Sequence, residues 1–123
     1  MHDTHSPRIT FSYLTLYVDK DDLSRCRTWY TTHLHLEVSW ESDAFVLLQG
    51  EGGAQLGLHR GVPLHKPDQV QIHFKVDDVD TMCQELEDSG VDIVQHPVNS
   101  AWGYRVAVLN DPAGHCVELY QQL

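Results

Sequence analysis

The sequence predicts an α+β fold: two βαβββ modules forming a curled, incompletely closed sheet around a central cavity, with helices on the outside. Three observations predict it. The same order of elements occurs twice, at about residues 9–61 and 69–121. The first strand of each half ends in the same pair, Val18-Asp19 and Val76-Asp77. The strands alternate between an apolar side and a mixed, polar and aromatic side. With 123 residues, both modules belong to a single domain, 1–123.

In the first half, "ITFSYLTLYV" sets Leu14, Leu16 and Val18 against Phe11, Tyr13, Thr15 and Tyr17. "LSRCRTWYTTHL" then carries Leu23, Cys26, Trp29 or Tyr30, and Leu34 at three- and four-residue steps, which predicts a helix with Asp22 as its N-cap. "LEVSWE", "AFVLLQ" and "AQLGLHR" predict three strands, the last two joined by a glycine-rich hairpin turn. "GVPLHKPD", with two prolines and no periodicity, reads as a linker. In the second half, "VQIHFKV" alternates Val70, Ile72, Phe74 and Val76 with polar residues. "DDVDTMCQELEDSG" predicts a helix with a Val79, Met82, Leu86 stripe that ends at Gly90. "DIVQHPVNS", "YRVAVLN" and "HCVELYQ" complete the repeat, the last two joined by a "DPAG" turn. Leu14, Leu16, Ile72, Phe74, Val117 and Leu119 are the expected helix-facing core.

A net charge of −10 argues against nucleic acid and anionic membrane surfaces, both of which select basic patches. No apolar run reaches the ~20 residues of a membrane span, and the first residues lack the apolar stretch of a signal peptide, so a cytoplasmic protein is expected. Three cysteines without CxxC spacing predict reduced, packed thiols.

The sides turned away from the core hold the functional candidates. They are Tyr13 and Thr15 on the first strand, Gly57 and His59 on the fourth, Gln71 and His73 on the fifth, and Cys116, Glu118 and Tyr120 on the last. Such a face fits the polar-lined wall of a small-molecule cavity. A carboxylate there needs a cation, hydrogen bonds or a proton to offset its burial, which makes Glu118 the central candidate. Trp102, before Gly103, reads equally as a ligand cover or as packing. His2 and His5 read as adventitious metal binders in a terminus, His33 and His35 as helix-end residues, and His65, His96 and His115 as solvated. Cys116 has no activating neighbour in sequence, so a nucleophile role lacks support.

"DLSRCRTWYTTHLHLEV", "VQIHFKVDDVDTMCQELEDSGV" and "WGYRVAVLNDPAGHCVELYQ", in this order, resemble the vicinal oxygen chelate superfamily of glyoxalases, bleomycin-resistance proteins and extradiol dioxygenases. His35 stands where that family has a glycine. The resemblance spans nearly the whole chain and implies the paired-module fold and a homodimer. In metal-dependent members, four strand positions converge on a divalent ion. Glu118 matches the last of these. The others fall at Tyr13 or Thr15, at Gly57 and at Gln71, a poor donor set. His59 and His73, each two residues beyond a family position, could form with Glu118 a displaced two-histidine, one-carboxylate site; the plainer reading makes them hydrogen-bonded wall histidines.

Two functions follow from the resemblance. One is a protein binding a small molecule without the full metal-ligand set, through Tyr13, Thr15, His59, Gln71, His73, Trp102, Glu118 and Tyr120. The other is a divalent-metal-dependent lyase or isomerase acting on a small oxygenated substrate, with Glu118 as metal ligand or base.

Overall fold

A computed structural model describes residues 7–63 and 65–123; the readings of His2 and His5 fall outside them. The first module runs β1 (Leu14–Val18), α1 (Lys20–His33), β2 (Glu37–Glu41), β3 (Phe45–Gln49) and β4 (Gln55–Arg60). The second runs β5 (Gln71–Lys75), α2 (Val79–Asp88), β6 (Ile93–Asn99), β7 (Tyr104–Asn110) and β8 (Cys116–Gln122). A 3₁₀ turn at Pro67–Gln69 lies between them. The expected βαβββ repeat is therefore present.

Each module forms a four-stranded sheet, in the orders β1-β4-β3-β2 and β5-β8-β7-β6. The first and last strands of a module pair in parallel, and the rest pair antiparallel. The parallel pairing needs a crossover, and the helix of each module supplies it. α1 packs on β3 and β4, and α2 on β6, β7 and β8. One apolar core runs through both modules, from Leu16, Val18, Cys26 and Tyr30 to Val79, Leu109, Val117 and Leu119. Ile72 and Phe74 pack against it. Leu14 departs from the expected core: it opens an edge strand and remains 53% exposed.

The helix ends follow local chemistry. α1 starts earlier than expected, with Asp19 rather than Asp22 at the N-cap. Asp21 and Asp22 fall in its first turn, where carboxylates favour the positive helix end. Leu36 N–H donates to the Tyr30 carbonyl beyond the helix, and His35 between them takes φ +60°. A side chain is strained in that left-handed region, which accounts for the glycine preference at this position. In α2, the Asp78 carboxylate accepts from the Thr81 N–H at 3.1 Å. Gly90 at φ +89° closes the helix, with Gly90 N–H bonded to the Glu87 carbonyl and Val91 N–H to the Leu86 carbonyl.

Candidate functional site

Strand alternation builds the site. Val117 and Leu119 are fully buried in the core, so Glu118 between them projects from the opposite face of the sheet, its side chain 25% exposed. The parallel register sets His73 beside it, and His73 Nδ1 lies 3.2 Å from Glu118 Oε1. These two side chains, with Ser100, Trp102, Tyr104, Val106 and Tyr120, line a cleft of about 420 Å³. That volume is within the range of small-molecule sites. Tyr104 and Tyr120 meet edge to face, their centroids 5.6 Å apart and their planes at 88°. Trp102 rises from the turn before β7 and is 86% exposed. The Ser100 hydroxyl accepts from the Trp102 and Tyr104 N–H groups at 3.3 Å, and Gly103 at φ +86° completes the turn.

The first module handles its corresponding face differently. Both modules pair their first and last strands in the same register, so Thr15↔Gly57 corresponds to His73↔Glu118. Likewise Phe45, opposite His59, corresponds to Val106, opposite Tyr120. Where the second sheet has a carboxylate and a valine, the first has a bare glycine and a phenylalanine ring. A Cβ placed on Gly57 would lie 2.7 Å from Thr15 Oγ1 and 3.0 Å from the Phe45 ring. Tyr13 and Trp40 lean on Phe45, and His59 stacks on Tyr17 at 4.9 Å. His59 Nδ1 lies 2.7 Å from the Arg60 carbonyl, to which it donates, leaving Nε2 as the acceptor nitrogen. Aromatic side chains fill this face.

Of the residues expected at the site, His73, Trp102, Glu118 and Tyr120 come together in the cleft. Thr15 and His59 lie on the other sheet, Tyr13 just precedes its first strand, and Gln71 is exposed at the start of β5, outside the cleft lining. Tyr104, Val106 and Ser100 escaped the sequence reading. Alternation against the buried Ala107 and Leu109 could have placed Tyr104 and Val106 on the cleft side.

The chain matches the model of the glyoxalase/bleomycin resistance protein/dioxygenase superfamily over residues 10–119. It belongs to that superfamily. Solved structures share its fold. A glyoxalase/bleomycin resistance protein/dioxygenase from Nocardioides is 24% identical, with a TM-score of 0.77 over 98% of this chain and 87% of that one. A lactoylglutathione lyase from Agrobacterium tumefaciens is 21% identical, with a TM-score of 0.74 over 94% and 96%. A family enzyme from Burkholderia phytofirmans is 18% identical, with a TM-score of 0.74 over 91% and 98%. The comparison with curated proteins found no match.

Divalent metal is the cofactor of many glyoxalase-superfamily members, so the donor set is the relevant test. Among the described residues, no group of three His, Cys, Asp or Glu side chains is placed to hold an ion. His73 and Glu118 supply two donors, and the Gly57 position has no room for a third. Among the described residues, one copy of this superfamily member therefore does not bring together the three or four protein ligands of a catalytic divalent site.

A second polar cluster lies on the core side of the sheets. The Asp111 carboxylate accepts four hydrogen bonds: from Tyr30 Oη at 2.6 Å, His115 Nδ1 at 2.7 Å, and the Ala113 and His115 N–H groups at 2.9 Å. The expectation that His115 is solvated is thus corrected, because it is 2% exposed and held under the β7–β8 turn. Burial, and then the Asp111 charge, push the Tyr30 phenol well above its ordinary range. Burial likewise pushes the Cys26 thiol up to about 12, with Asp111 adding to the shift. The cluster joins α1 of one module to the β7–β8 turn of the other and lines no part of the cleft.

Proposed function

We propose that this glyoxalase-superfamily protein binds a small organic molecule in the cleft of its second module. The observation that carries this reading is the placement of Glu118, a partly shielded carboxylate inside a roughly 420 Å³ cleft with three aromatic side chains. Glu118 and the Ser100 hydroxyl would orient the ligand, and Trp102, Tyr104 and Tyr120 would cover its apolar surface. A homodimer belongs to the same proposal. The first sheet's aromatic face and the second sheet's cleft are both open in one chain, with Tyr13, Trp40, Trp102 and Tyr104 exposed. A second copy laying the first face over the second would enclose the cleft. Three free cysteines support a reducing, cytoplasmic setting. The test is a fragment screen by thermal shift on tag-free protein, followed by Glu118→Gln and Tyr104→Ala. Hits that lose binding in both variants support the reading, and hits indifferent to both overturn it.

One observation favours the metal-dependent lyase or isomerase as a second reading. His73 and Glu118 are already adjacent, and His59 Nε2 makes no hydrogen bond among the described residues, on the face that a second copy would present. Elemental analysis of tag-free protein, with divalent-ion thermal shifts on His59→Ala, separates the two. Stoichiometric metal whose stabilisation vanishes in that variant selects the lyase or isomerase.

A further inference from the structure

We propose that the ligand of the second-module cleft is an organic cation, an amine or quaternary ammonium on an apolar body; this rests on the binding reading above. The cleft has the two elements that recognise such a group. Tyr104 and Tyr120 meet edge to face in the cleft wall, their perpendicular planes setting two rings around one corner, and Trp102 offers a third ring from the adjoining turn. Ring faces carry negative quadrupole potential, and cages of two or three rings select alkylammonium groups.

Glu118 supplies the counter-charge. Its Oε1 meets His73, and among the described residues no protein group bonds Oε2. No Lys or Arg side chain lines the cleft to compete for that oxygen. Arg105, on the neighbouring strand, projects from the opposite face and is held bidentately by Asp80 on α2, at 2.8 and 2.9 Å. The chain's net charge of −10 adds a long-range field that draws cations and repels anions. An anionic ligand would meet the like charge of the carboxylate, and a neutral one without an N–H or O–H donor would leave Oε2 unanswered.

A matched probe pair tests the assignment. Phenyltrimethylammonium and tert-butylbenzene share one shape and differ in carrying a positive nitrogen or a neutral carbon. Both are titrated in EDTA, following tryptophan fluorescence, against the wild-type protein, Glu118→Gln and Tyr104→Leu, with circular dichroism confirming that each variant folds. The cation is expected to bind about tenfold more tightly than the hydrocarbon. Glu118→Gln should remove about tenfold from the cation alone, and Tyr104→Leu should weaken the cation more than the hydrocarbon. Equal binding of the two probes, or a cation affinity unchanged in Glu118→Gln, overturns the ligand class while leaving a binding cleft in place. Binding of neither probe also overturns it, and the fragment screen then decides the binding reading independently.

Discussion

The Tyr30 hydroxyl donates to Oδ2 of Asp111 at 2.6 Å, joining residues 81 positions apart in the chain and in different modules. A hydrogen bond to a buried carboxylate is worth about 1.5–3 kcal/mol. Tyr30→Phe should therefore cost about that much in urea unfolding while preserving the fold. Asp111→Ala should cost more, because four donors lose their acceptor together. An unchanged midpoint in Tyr30→Phe would show that the contact carries no stability.

His35 is the described non-glycine residue with positive φ, at +60°. A left-handed residue with a Cβ costs about 1–2 kcal/mol, partly offset here by the freedom glycine adds to the unfolded chain. His35→Gly should raise stability by about 0.5–1 kcal/mol. A loss of stability instead would mean that the imidazole makes a contact worth more than the strain.

At Gly57, a methyl group would meet Thr15 Oγ1 and the Phe45 ring at 2.7 and 3.0 Å. Gly57→Ala should cost about 1–3 kcal/mol. Much of the loss should return when Phe45→Leu is added, because the two residues share one space. Additive effects in that double-mutant cycle would count against the clash.

Glu118→Gln should change stability by less than about 1 kcal/mol, since the pair with His73 is partly solvated and the amide can keep its geometry. Its effect should fall on the ligand. A loss above about 3 kcal/mol would assign Glu118 a structural role.

The alkaline limb of stability follows from the groups around Asp111. The Cys26 thiol is raised from 9.0 to about 12, so the folded chain holds a proton that the unfolded chain has released at pH between those values. The Tyr30 phenol, raised from 10.0, acts in the same direction. Their contribution is complete below pH about 9 and declines as pH rises toward 12. Cys26→Ala should flatten the dependence of the urea midpoint on pH above about 9, despite lowering stability overall. An unaltered slope would remove Cys26 as its source.

Much of the fold was legible because alternation and helical spacing are properties of the chain itself. Gly90 ends α2 as expected, Tyr30 takes the buried side of α1, and Glu118 is opposite Val117 and Leu119. The departures arise where distant residues decide. His115 resembles any strand-end histidine until Asp111 turns back over it. Leu14 fits the apolar pattern but opens an edge strand. His59 shares the polar face in sequence terms, yet it stacks on Tyr17 in the first sheet instead of joining His73 and Glu118. Periodicity assigns a face; the packing of Phe45 decides whether that face is hollow.

The matched registers of the two sheets have a consequence for stoichiometry. Three positions, Thr15, Phe45 and Gly57, correspond to His73, Val106 and Glu118 on the same pairing grid. On the proposed binding function, filling one half and hollowing the other would leave one ligand site in a polypeptide whose architecture is duplicated. Transplanting the second half's residues as Thr15→His, Phe45→Val and Gly57→Glu would restore parity between the halves. The number of ligands taken up per chain would then rise from one to two, so a molar ratio measures how far the two copies of the module have diverged.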